Sequence, residues 1–218
     1  MSINMQRTNP SLVLSSDDVL NTNFDCEPLG IHYHVSTDLG FLGPGKTTQV
    51  RRRDNQPGRF DVIAEWERHS FQPDIFKFTG AGSIVRKTVP VSTFLVEKNS
   101  PCMLESYFIG DDGRRYTWTV KGSELVAHVI ENGRKDSLIA NFHRRTFFVS
   151  QNGYLELFPG YEGTLDSLIV TFLYTEWKRR QSSNNRHRRI MSLRGQYGQL
   201  QQNQQIAFRS NFNTFSGP

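Results

Sequence analysis

With 218 residues, 16 of them Phe, the chain can hold one domain of ordinary size with a bulky core plus tails, and nothing in it marks a second core. The net charge of +5 is unevenly spread: residues 178–218 hold eight Lys or Arg and no Asp or Glu, whereas residues 1–177 hold 18 basic against 21 acidic side chains. Two widely spaced cysteines, Cys26 and Cys102, with no secretory hydrophobic segment and no glycosylation site, exclude a disulfide-built secreted scaffold and point to an intracellular protein, cytoplasmic or nuclear.

Residues 1–10 are polar, end in Asn9-Pro10 and read as a flexible leader. Strand-like segments then recur to about residue 158. Ile31, Tyr33 and Val35 alternate with His32, His34 and Ser36; Phe60, Val62, Ala64 and Trp66 alternate with Asp61, Ile63, Glu65 and Glu67. That period of two predicts strands with one buried face, here the Phe60–Trp66 series, and Glu65 and Glu67 in solvent. Further strands are expected over Met103–Ile109, Arg114–Val120, Glu124–Glu131, Ser137–Phe142 and Tyr154–Phe158. Asp112-Gly113, Lys121-Gly122, Asn132-Gly133 and Asn152-Gly153 punctuate them, and such pairs supply the positive φ of tight hairpins. With no amphipathic helix between strands, the fold class is mainly β, an antiparallel meander in a sandwich or barrel.

Pro159, Gly160 and Gly163 break the pattern, and Thr164 is placed to cap a helix over Leu165–Trp177, extending to about residue 178. This helix is apolar on nearly every side except a stripe of Ser167, Thr171 and Thr175, whose hydroxyls can bond to the preceding turn. Thirteen residues rise only about 20 Å, too short for a bilayer, so the segment reads as enclosed by protein and no transmembrane span is expected. The domain thus covers residues 11–180. From 181 to 218 the chain is rich in Gln, Asn, Ser and Arg and reads as a disordered basic tail.

A strand meander followed by one hydrophobic helix resembles the tubby-like barrel, in which a closed antiparallel barrel surrounds a central C-terminal helix. The chain is most similar to an uncharacterised fungal family of unknown function related to LURP-one-like proteins. The matching stretches are Gly110–Trp118, Ser137–Phe142, Gly153–Leu157 and Leu165–Arg180, with Tyr33–Thr37, Thr47, Thr48 and Arg51 fitting less specifically. The resemblance implies a β-barrel around the helix. It carries no established activity and no ligand residues, although relatives in the wider superfamily include phosphoinositide-binding and scramblase-like proteins.

Several motifs invite a chemical reading. Gly40–Thr47 matches the nucleotide-binding pattern G-x-x-x-x-G-K-[ST], but β-prone residues follow where a phosphate-cradling loop needs a helix, so a hairpin loop is expected. His32 and His34 share a strand face, yet no spacing ties them to His69, His128 or His143 as a metal set. Glu65 and Glu67 read as solvent carboxylates, and neither cysteine has a basic neighbour that would activate it. No enzyme, cofactor or metal is expected.

The candidate contacts for an anion are Arg51, Arg52, Arg53, Arg144 and Arg145 in the folded part, with Arg114-Arg115 a further basic pair, and Lys178, Arg179, Arg180, Arg186, Arg188 and Arg189 at the start of the tail. Two functions from different classes follow. The first is a non-enzymatic binding or regulatory domain that meets acidic phospholipid, phosphoinositide included, through these clusters. The alternative is a nuclear or nucleic-acid-associated protein acting through its basic tail. A nucleotide-binding protein using Gly40–Thr47 is the third reading.

Overall fold

The computed structural model describes residues 9–38, 46–53, 59–80, 86–100, 103–121, 124–145 and 152–184. The chain forms two compact units, Met1–Trp177 and Lys178–Pro218. Among the described residues, thirteen strands make one antiparallel sheet. They are β1 (Ser11–Leu14), β2 (Thr22–Cys26), β3 (Ile31–Asp38), β4 (Lys46–Arg53), β5 (Asp61–Arg68), β6 (Ile75–Phe78), β7 (Lys87–Pro90), β8 (Val96–Ser100), β9 (Met103–Ile109), β10 (Arg115–Lys121), β11 (Glu124–Glu131), β12 (Arg134–His143) and β13 (Tyr154–Leu157).

Every strand pairs with its neighbour in the chain except β7 with β8, and β1 also pairs with β13, Leu12 opposite Leu155. The order is therefore the chain order run in a circle with one ladder missing. The short helix α1 (Val91–Phe94) occupies that seam. Pro90 ends β7 without an N–H to donate, and α1, in contact with both β7 and β8, buries Val91 and Phe94. Among the described residues the sheet has two edges, β7 and β8, and is not closed into the barrel expected from the sequence.

The second helix, α2, runs over 165–184, several residues past the expected end at 178. Its apolar pattern stops at Trp177, but the Lys, Arg and Gln that follow favour helix, so the backbone continues through residues 181–184, which the sequence had assigned to the tail. Within the first unit, Leu165–Leu173 are all buried. Phe172 packs on Phe24 of β2, Trp118 of β10 and Phe142 of β12, with ring centroids 5.9, 5.8 and 4.8 Å away. Tyr174 and Trp177 meet Trp66 of β5 at 5.2 and 5.1 Å. Strands from both halves of the sheet therefore touch one helix, and an all-round apolar helix is stable because protein lies on every side. Among the described residues no helix is long and apolar enough to cross a membrane.

The polar stripe of α2 is satisfied as its spacing predicts. The Thr171 and Thr175 hydroxyls donate to the carbonyls of Ser167 and Thr171, and the Trp118 indole donates to Thr171 Oγ1 at 2.9 Å. The cap differs from expectation. The Thr164 carbonyl accepts the first helical bond from Leu168, but its buried hydroxyl has no partner among the described residues. Asp111 caps instead, accepting the Ser167 N–H at 3.2 Å and the Ser167 hydroxyl at 2.6 Å. A carboxylate at this end also meets the positive pole of the helix dipole.

The Gly110–Trp118 segment is built around that cap. Asp112 accepts from the Tyr116 hydroxyl and Arg114 Nε, each at 2.7 Å, and Arg114 also donates to the Gly160 carbonyl at 3.1 Å. Burial alone would push the Asp112 carboxyl up, but the bonds from Tyr116 and Arg114 outweigh it and hold its pKa below the usual value. Gly110 is required by space: a Cβ there would lie 2.3 Å from Thr164 Oγ1 and 2.6 Å from the Tyr116 ring. Asn132 and Gly133, both at positive φ, make the β11–β12 turn that their sequence predicts.

One strand has its alternation out of phase with the expectation. The β4–β5 register skips a residue, Val50 facing Ala64 while Arg51 faces Val62, so Ile63 and Ala64 are both buried. The bulge reverses the facing of everything before it. Val62 is consequently only half-buried and Phe60 is 40% exposed, whereas Ile63 is in the core.

Candidate anion-binding face

The sequence candidates on β4 separate by strand alternation. Arg52 turns inward: its guanidinium donates to Asp166 Oδ1 at 2.8 Å, and the Tyr33 hydroxyl reaches the same oxygen at 2.6 Å. Asp166 is completely buried at the start of α2. Arg52 is therefore the counter-ion of a buried carboxylate, on the inner side of β4.

Arg51 and Arg53 turn outward. Arg51 is directly opposite His34 and Arg53 opposite His32. Each histidine is held from the other side by β2, His32 Nδ1 to Asp25 Oδ1 at 2.9 Å and His34 Nδ1 to Asn23 Oδ1 at 2.7 Å. Two parallel rows, Asp25–His32–Arg53 and Asn23–His34–Arg51, therefore cross β2, β3 and β4. Phe60 completes the patch: the Arg53 guanidinium lies 5.2 Å from its ring centroid and the His34 ring 6.1 Å away. Arg51 donates to Gln49 Oε1 at 2.6 Å, and neither Arg51 nor Arg53 forms an ion pair among the described residues.

The first row continues across the sheet. Asp25 is opposite Val13, Val13 opposite Tyr154, and Tyr154 opposite His143, the last residue of β12. The His143 and Tyr154 rings stack at 4.5 Å, and His143 Nε2 lies 3.0 Å from Glu156. Arg144 and Arg145 follow His143 and are exposed. Residues about 90 apart in sequence thus stand at two ends of one outward row, five strand spacings or about 24 Å long. Val13, 41% exposed, supplies an apolar group between them.

The other basic pair of the first unit, Arg114-Arg115, stands at the start of β10 and not on these strands. Arg114 is taken by Asp112, and Arg115 faces outward on β10. Lys178, Arg179 and Arg180 continue α2 within the second unit, while Arg186, Arg188 and Arg189 lie outside the described residues. Lys46 and Thr47 open β4, so a strand stands where a nucleotide loop needs a helix, and Gly40–Gly45 lie outside the described residues. Glu67 pairs with Lys77 and Glu65 accepts from Gln49, both on the outer face as expected. Among the described residues, no cluster of three or more His, Cys, Asp or Glu is arranged to hold a metal. Cys26 is a buried free thiol whose pKa burial pushes up, the opposite of activation; Cys102 is outside the described residues.

Phe60, Val13 and Tyr154 were not nominated from sequence. The alternation alone places Phe60 in the core because the bulge is silent in the residue pattern, and Val13 and Tyr154 join the row only through strand register.

The chain belongs to a family of unknown function, DUF6593, whose model matches residues 17–181. That span contains twelve of the strands and the enclosed part of α2. No curated protein and no solved structure gives a significant match.

Proposed function

We propose that the protein is a non-catalytic binding domain that docks reversibly on acidic phospholipid surfaces through the outer face of β12, β13 and β1–β4. The observation that carries this reading is the pairing of Arg51 and Arg53, free of carboxylate partners among the described residues, with exposed Phe60 on the same face. Cations attract anionic headgroups, and an exposed aromatic ring can enter the headgroup layer. A sheet curled around a C-terminal apolar helix also fits the tubby-like arrangement, whose members include phosphoinositide binders.

Magnitudes decide how such a face would work. Arg51, Arg53, Arg144 and Arg145 at about 1 kcal/mol each provide about 4 kcal/mol, which corresponds to millimolar binding. Asp25 and Glu156 lie on the same face, although each is engaged by a histidine. The folded face alone therefore binds weakly, and the +8 carried by residues 178–218 adds attraction without a defined geometry. The nucleic-acid alternative rests on that tail charge alone.

Vesicle flotation of the full chain tests the proposal. Binding to phosphatidylcholine vesicles containing phosphatidylserine or a phosphoinositide should exceed binding to phosphatidylcholine alone and fall with added salt. Arg51→Gln with Arg53→Gln should weaken it several-fold. Equal flotation of the parent and of a variant that also carries Arg144→Gln and Arg145→Gln would place the binding outside this face and refute the proposal.

A further inference from the structure

A second feature lies on other strands. Two register shifts interrupt the β11–β12 ladder, between Ala127 and His128 and between His128 and Ile130. Bulges bend the strands that carry them. The consequence is visible at Lys135 on β12, whose ammonium reaches Glu105 of β9 at 2.5 Å and Thr119 of β10 at 2.9 Å. In a flat sheet Lys135 would stand in the row of Ile130, Arg115 and Ile109, three strands and four residues from Glu105, or roughly 20 Å away, farther than the two side chains together extend. The β11–β12 hairpin end must therefore curl over the outer face of β9 and β10.

Beneath it is a cleft of about 640 Å³ bounded by α1, β8, β9, β10 and this hairpin end. That volume is in the range of small-ligand sites. Val96 and Ile109, 54% and 49% exposed, form its apolar wall with Phe94 and Ile130. Lys98, Arg115 and Lys135 bring three cations against one carboxylate, Glu105, and Glu105 is already held by Lys135 and by the Tyr107 hydroxyl at 2.7 Å. Arg115 is the distinctive group. Its direct neighbours across the sheet are Ile109 and Ile130, and it makes no ion pair among the described residues. An exposed arginine flanked by two isoleucines in a partly apolar cleft is complementary to one anionic group joined to an apolar body.

We propose that this cleft binds a long-chain carboxylate, with the carboxylate on Arg115 and the chain running from it over Ile109 towards Val96. The site is separate from the β1–β4 face and independent of the membrane-docking reading. Its test is competition against the fluorescent anion anilinonaphthalene sulfonate in the full chain, using monomeric oleate, with oleyl alcohol as the uncharged control. Oleate should displace the dye and the alcohol should compete at least tenfold less well. Arg115→Gln and Ile109→Asp, both at exposed positions that should leave the melting temperature unchanged, should each weaken oleate at least tenfold, whereas Arg51→Gln/Arg53→Gln should leave it unchanged. Three results would overturn the proposal: no displacement by oleate, equal displacement by the alcohol, or parent-like affinity in the Arg115 and Ile109 variants. Loss of vesicle flotation without loss of oleate binding would fail the docking face alone.

Discussion

Asp111 receives both the backbone N–H and the hydroxyl of Ser167, 56 residues further along the chain. The β9–β10 turn thus caps the helix from outside, so sheet and helix cannot form independently at this point. Asp111→Ala should remove the cap and lower stability by about 1–2 kcal/mol. Denaturant unfolding measures this, and Thr164→Ala, which removes an unpartnered hydroxyl, should cost less.

Inward and outward arginines on one strand should separate in a stability assay. Arg52→Met leaves the buried carboxylate of Asp166 without its cation, which costs about 3–5 kcal/mol. Arg51→Met, on the outer face, should change stability by about 0.5 kcal/mol or less. Equal effects would contradict the assignment of β4 faces.

Gly110 has no room for a side chain. Gly110→Ala should destabilise by about 1–3 kcal/mol through the clash with Thr164 and Tyr116. Urea midpoints of the variant and the parent give the comparison.

The lowered Asp112 pKa makes a signed pH prediction. A carboxylate held below its unfolded value contributes stability that is present above that value, 3.8, and is lost as pH falls through the folded pKa. Asp112→Asn should flatten the stability profile below about pH 4. An unchanged acid limb would show that the Tyr116 and Arg114 bonds do not favour the charged form.

Periodicity made the longer elements legible. The alternation of Ile31–Ser36, the Asn132-Gly133 turn and the apolar run from Leu165 all appear where their local chemistry places them. Short strands such as β1, β6 and β7 have four residues each, too few for a period to stand out. Phase was the harder property. One extra residue opposite Val50 moved Phe60 from the expected core to the surface. Non-local partners were hidden as well: Arg52 looks like its two neighbours in the sequence, and its bond to Asp166, 114 residues away, sets it apart.

The proposed function turns on whether the Phe60 side of the sheet meets lipid. The most direct measurement is the accessibility of a nitroxide placed by Phe60→Cys in the full chain, with and without phosphatidylserine-containing vesicles. Contact predicts that the label becomes shielded from an aqueous relaxation agent and exposed to oxygen dissolved in the bilayer, and that Arg51→Gln/Arg53→Gln reduces this change. A label that remains fully in water while the chain floats with the vesicles would contradict the docking face.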